Sequence, residues 1–117
     1  MYEYRATLKK VVDGDTVDVE LSLGFDIYQS HRLRLYGVNT PELHDRDATI
    51  RAKALEAKQF LIDTLPTAAG AITVRSHKDA GDKYGRYLAE LFLPEQEVSV
   101  NQQLVARGLA VPFMTDG

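Results

Sequence analysis

The sequence of 117 residues contains no cysteine. Disulfides and thiolate metal sites are therefore excluded, and any metal must be held by oxygen or imidazole ligands. No apolar stretch approaches the roughly 20 residues that a membrane-spanning helix needs. Internal repeats, linker-like runs and low-complexity segments are also missing, so residues 1–117 are read as one domain of ordinary size. A basic excess is lacking too: 14 Lys and Arg against 17 Asp and Glu leave a formal charge of −3. Proteins that grip nucleic acid by its backbone alone usually carry a strong positive excess. If this chain acts on a polyanion, it must do so through a localised site. Residues 1–5 have neither the basic flank nor the apolar block of a secretion signal, which points to a cytosolic chain or one already processed. A monomer is the default expectation.

What the sequence does have is alternation. Tyr4, Ala6 and Leu8 alternate with Arg5, Thr7 and Lys9, predicting a strand over 4–12. Asp13-Gly14-Asp15 is a tight-hairpin signal. Val17, Val19, Leu21 and Leu23 then alternate with Asp18, Glu20 and Ser22 in a second, half-buried strand. A third is predicted over 27–38, through Arg32-Leu33-Arg34-Leu35. Asn39-Thr40-Pro41-Glu42 cannot be helix interior, because the residue before a proline is pushed out of the helical region. From about residue 47 to 65, Ile50, Ala54, Ala57, Leu61 and Leu65 recur at helical spacing, and Pro66 ends that helix. Two more strands are predicted over 72–76 and 86–93, separated by a polar loop. Ser99 with Gln102 has the form of a capping box, opening a short helix that closes at Gly108. This order predicts a mainly β protein with helices: a five-stranded oligonucleotide-binding (OB) barrel, a helix inserted after strand 3 and a short C-terminal helix. Periodicity alone leaves a small α+β sandwich open.

Three polar clusters interrupt the pattern. In Asp13-Gly14-Asp15-Thr16, the acidic residues and glycine suit a turn, and Asp15 at the head of a strand is a candidate ligand for a hard cation. Arg34 and Glu42 bracket the second cluster. Singly they read as a solvated strand residue and a turn carboxylate. Together they supply a planar cation for phosphate oxygens and a base for an attacking water. The third, Asp82-Lys83-Tyr84-Gly85-Arg86, reads either as a solvated loop or as a second phosphate clamp from Arg86, with Lys83 and Tyr84 touching substrate. His31, His44 and His77 lack a partner histidine at ligand spacing and are given no role.

Taken in order, DGDTV, RLYGVNTPE, DKYGR and VNQQLVARGLA resemble the staphylococcal nuclease (thermonuclease) family from about residue 8 to 110. The resemblance implies an OB barrel that cleaves DNA and RNA with calcium, leaving 3′-phosphates. It assigns Asp15 as a calcium ligand, Thr40 as a ligand through its carbonyl, and Asp13 as an outer acidic residue near the metal. Glu42 positions or deprotonates water, Arg34 and Arg86 hold the scissile phosphate, and Lys83 and Tyr84 contact a terminal phosphate. Asn39 stands where the family usually has a second metal-ligating aspartate. An amide oxygen still suits calcium, yet a charge is lost, so the expectation is a metal-hungry enzyme. The alternative is a catalytically weakened nucleic-acid-binding or scaffold barrel. Near the C-terminus, Phe113 stands where the family pattern offers stacking tyrosines. Core packing beside Met114 is the preferred reading for this one phenylalanine.

Overall fold

The structure, a computed structural model, describes residues 2–65, 70–81 and 87–113. Strand β1 (Glu3–Asp13) and strand β2 (Thr16–Ser22) pair antiparallel. Gly14 and Asp15 form the two-residue connection, since Asp13 pairs with Thr16. In β2 the alternation is followed closely: Val17, Val19 and Leu21 are buried while Asp18, Glu20 and Ser22 stay partly exposed. Strand β3 (Tyr28–Leu35) continues the meander, with Thr16 opposite Arg34 and Ser22 opposite Tyr28.

The predicted third strand runs too far. It stops at Leu35 rather than reaching residue 38. Gly37 has a φ of 78°, in the left-handed region where a strand cannot continue and glycine is favoured. Beyond this turn Val38–Asn39 form a separate strand, β4. Helix α1 (Ala48–Thr64) starts where its cap does, with the Asp47 carboxylate accepting from the Thr49 N–H at 2.7 Å. It ends at Leu65, which precedes Pro66 in the sequence and is already extended. Its apolar stripe buries Ala54, Ala57, Leu61 and Leu65, while Ile50 stays at the surface.

Strand β5 (Ile72–Gly81) is longer than predicted, and strand β6 (Tyr87–Phe92) pairs with it antiparallel. Two further pairings close the sheet. β5 lies antiparallel to β1, and β6 runs parallel to the end of β3, with Arg34 beside Leu88. The result is a closed barrel in the order β1-β2-β3-β6-β5, the OB arrangement. Helix α2 (Val100–Ala106) opens on the predicted capping box, Ser99 and Gln102 each bonding the other's backbone. Gly108 (φ 72°) turns the chain after it, and the N–H groups of Gly108 and Leu109 return to Val105 and Leu104. Strand β7 (Val111–Pro112) then pairs with β4.

Asn101 holds the seam beneath α2. It is buried, and its amide donates to the Tyr36 and Ala89 carbonyls at 2.8 and 3.0 Å while its oxygen accepts from the Leu91 N–H at 3.1 Å. A second close fit places α1 over the β1–β2 turn. A Cβ added to Gly14 would lie 2.7 Å from the Ala57 Cβ and 3.0 Å from the Thr40 hydroxyl. Gly14 serves this turn by its small size, since its φ is not positive.

Candidate active site

The β1–β2 turn, the end of β3 and the β4 segment meet at one end of the barrel. The Leu35 N–H donates to the Asp15 carbonyl at 2.8 Å, which fixes the turn beside Arg34. Within the turn, the Asp15 N–H donates to Asp13 Oδ1 at 3.1 Å, and the Thr16 hydroxyl donates to Asp15 Oδ1 at 3.2 Å. From the other side the Thr40 N–H reaches Asp15 Oδ2 at 3.4 Å. Positions 13, 15, 34, 39 and 40 are thus gathered around one carboxylate.

Arg34 is engaged unequally at its two ends. Nη1 donates to the carbonyls of Leu35 and Val38, both at 2.8 Å. Nη2 lies 3.6 Å from Asp15 Oδ2 and 3.4 Å from Asn39 Oδ1. The first pair are good hydrogen bonds; the second are longer than the usual distance of about 2.9 Å. One nitrogen therefore anchors the guanidinium to the backbone. The other rests loosely against two oxygens, in a place where the Arg34 and Asp15 side chains are only 12% and 13% exposed.

The two carboxyls of the turn are driven apart. Burial, then the hydrogen bond and charge of Asp15, push Asp13 up to about 6. For Asp15 burial is the largest single influence and opposes ionisation. It is outweighed by the hydrogen bond from Asp13, the charge of Arg34 and the bonds from Thr40, which leave its carboxyl below the usual range. The site thus holds a firmly ionised carboxylate beside one that gives up its proton reluctantly.

The donors collected here are hard oxygens: the Asp15 and Asp13 carboxylates and the Asn39 amide. That chemistry fits calcium, which takes carboxylate and amide oxygens, and not a soft metal. Among the described residues no three His, Asp or Glu side chains are grouped to hold a metal ion. A cation here would keep much of its shell open to water and substrate.

Other predicted residues are placed less fully. Glu42 is exposed on the loop that follows Thr40, its carbonyl accepting from the Asp45 N–H at 3.3 Å. His44 is exposed on the same loop. Lys83, Tyr84 and Arg86 lie outside the described residues. Phe113 corrects an expectation: it is 44% exposed, not packed in the core. The β4–β7 pairing and a 2.8 Å bond from its N–H to the Gly37 carbonyl bring its ring to 6.0 Å from the Arg34 guanidinium carbon. The sequence gives little sign of this, because β7 is two residues long and contains a proline.

Residues 32–116 match the family described as Staphylococcal nuclease homologue. The chain belongs to that family. Within the curated relatives of this nuclease-homologue chain, an uncharacterized protein of Methanocaldococcus jannaschii is 29% identical, over 97% of the chain and 61% of the relative. Endonuclease YhcR of Bacillus subtilis is 29% identical over 95% of the chain and 9% of its own length. The thermonuclease of Staphylococcus intermedius is 30% identical over 88% of the chain and 56% of its own. The chain thus spans less than two thirds of each of these relatives.

Proposed function

We propose that this chain is a calcium-dependent phosphodiesterase that hydrolyses DNA, RNA or both, cutting within the strand and leaving 3′-phosphates. The observation that carries the reading is the split engagement of Arg34 beside Asp15 and Asn39. A guanidinium anchored by Nη1 and loosely held at Nη2 is ready to exchange its contacts for phosphate oxygens at little reorganisation cost. Family membership and relatives named thermonuclease and endonuclease support the same chemistry.

The roles follow from what a phosphodiester demands. Its negative charge repels hydroxide, so phosphate charge must be neutralised while water is activated. Arg34 donates to the scissile phosphate, and Arg86 supplies a second rigid fork as charge builds around phosphorus. Glu42 orients the attacking water and accepts its proton. The new bond forms from water oxygen to phosphorus as the bond to the 5′ oxygen breaks, and that oxygen takes a proton from solvent to leave as a 5′-hydroxyl. Lys83 and Tyr84 bind a terminal phosphate, and the exposed ring of Phe113 offers a face for a base. Asp15, Asn39 and the Thr40 carbonyl would hold calcium, with Asp13 behind them, and the ion supplies charge neutralisation at the phosphate.

One observation favours a second reading, a barrel that binds nucleic acid with little catalysis. Asn39 contributes an amide where a carboxylate would bind a cation more strongly. Incubation with single-stranded DNA and RNA, with millimolar calcium or with chelator, separates the two. Chelator-sensitive cleavage is the expected result. Binding without cleavage at saturating calcium would reject the enzyme in favour of the binding barrel.

A further inference from the structure

A set of contacts outside the acidic cluster converges on the turn that holds Arg34. The Tyr36 ring lies flat on the His77 ring, with centroids 3.6 Å apart and planes 7° apart. His77 Nε2 is in turn 2.8 Å from Glu90 Oε1, and these two side chains are only 17% and 20% exposed. The backbone of Tyr36 is fixed separately, its N–H donating to the Ala89 carbonyl and its carbonyl accepting from Asn101 Nδ2, both at 2.8 Å. Tyr36 sits between Leu35 and Gly37, and the carbonyls on either side of that pair, from Leu35 and Val38, are the two that anchor Arg34 Nη1.

Gly37 makes this turn hard to fix from within. At a φ of 78° it is the least constrained residue type in the segment. The orientation of the Val38 carbonyl relative to that of Leu35 is set from outside the turn, in part by the β4–β7 pairing and the 2.8 Å bond from the Phe113 N–H to the Gly37 carbonyl. The side chain of Tyr36 is in position to add to that hold, because it is pinned to β5 and β6 through the His77 ring and that ring's hydrogen-bond partner Glu90.

We propose that Glu90 and His77 act through Tyr36 as positioning residues for Arg34, holding the 35–38 turn so that both carbonyls grip one guanidinium nitrogen. The chemistry it serves rests on the phosphodiesterase reading; the brace itself does not. Glu90 fixes the imidazole ring, the imidazole fixes the phenol ring, and the phenol fixes the turn. Loss of either ring leaves the backbone bonds of Tyr36 intact, so the barrel persists while the guanidinium gains freedom. Small misplacements of a positioned catalytic group reach about a hundredfold in rate for a displacement of 1 Å. Partial loosening is expected to cost about tenfold in kcat.

The test uses the full chain and two readouts. The side-chain Nε–Hε NMR signal of Arg34 reports the order of the guanidinium directly, and turnover of single-stranded DNA with calcium reports its consequence. His77→Ala and Tyr36→Leu should each broaden or shift the Arg34 signal and lower kcat by about tenfold, and the double variant should lose no more than either single. His77→Phe restores a ring but not its bond to Glu90, so it should recover both readouts only in part. Glu90→Ala should perturb the Arg34 signal in the same direction as His77→Ala. Full recovery in His77→Phe or a parental signal in Glu90→Ala would remove Glu90 from the brace. A parental Arg34 signal in His77→Ala would overturn the brace, whether or not the protein cleaves DNA. Additive losses in the double variant would overturn it as well. A perturbed Arg34 signal in a protein that never cleaves would keep the brace and remove the phosphodiesterase reading instead.

Discussion

At the scale of the residue, the site depends on how two polar side chains divide their contacts. Arg34 spends Nη1 on the backbone and keeps Nη2 near Asp15 and Asn39. Lysine, with a single point charge on a flexible stem, cannot do both. Asn39 has the oxygen but not the charge of a carboxylate. Asn39→Asp should therefore tighten calcium binding several-fold in a calorimetric titration, and unchanged affinity would mean that residue 39 is not a ligand. Away from the site, the Arg32–Asp18 pair provides a pH prediction. Two bonds from Arg32, at 2.8 and 3.1 Å, hold the Asp18 carboxyl below its ordinary range. A carboxyl whose folded pKa is lowered adds stability above its unfolded pKa, and this is lost as pH falls through the folded value. Asp18→Asn should thus be less stable than the parent near pH 7, and the difference should shrink as pH falls below the ordinary carboxyl value of about 3.9. The pair is solvent-exposed, so the effect is small. A difference that persists in acid would show that the charge of Asp18 is not its cause.

At the scale of the element, most of the scaffold was legible because it follows period and punctuation. The alternation in β2, the helical stripe from Ala54 to Leu65 and the Ser99–Gln102 box were each read from local chemistry and found in place. Misreadings came where local signals were short or conditional on tertiary contact. Gly37 ends β3, yet a glycine within an alternating run does not announce a left-handed φ. The two-residue strands β4 and β7 are too short for any period, and their pairing is what exposes Phe113 beside Arg34. The Tyr36–His77 stack joins residues far apart in sequence and has no motif at all. Asn101 is a similar case: one buried amide bonds three backbone groups, two on β6 and one in the turn after β3. Asn101→Ala would strand the Leu91 N–H and the Tyr36 carbonyl, while the Ala89 carbonyl keeps the Tyr36 N–H. Each stranded group costs about 1–3 kcal/mol when buried and unpaired. A loss of about 3 kcal/mol in urea unfolding is expected. A loss below about 1 kcal/mol would mean that water takes over these bonds.

At the scale of the whole molecule, the barrel brings the ends of β1, β3 and β4 to a single place and leaves α1 packed above the turn at Gly14. A net charge of −3 is compatible with a polyanionic substrate only if recognition is concentrated there. In the proposed reading the gathering of Asp13, Asp15, Arg34, Asn39 and Thr40 is that place, with a bound cation offsetting the carboxylates, and the DGDTV and RLYGVNTPE segments already carried those residues in the sequence. Which end of Arg34 is anchored was not legible, since backbone carbonyls carry no sequence signature. In the proposed function, this end of the barrel breaks phosphodiester bonds with Glu42 handling the attacking water. Single-turnover cleavage of single-stranded DNA at saturating calcium, comparing the parent with Glu42→Gln, tests it most directly. A positioned general base contributes about 10²–10⁴ in rate, so the variant should be slower by at least about a hundredfold with substrate binding retained. Equal rates for the two proteins would contradict the claim.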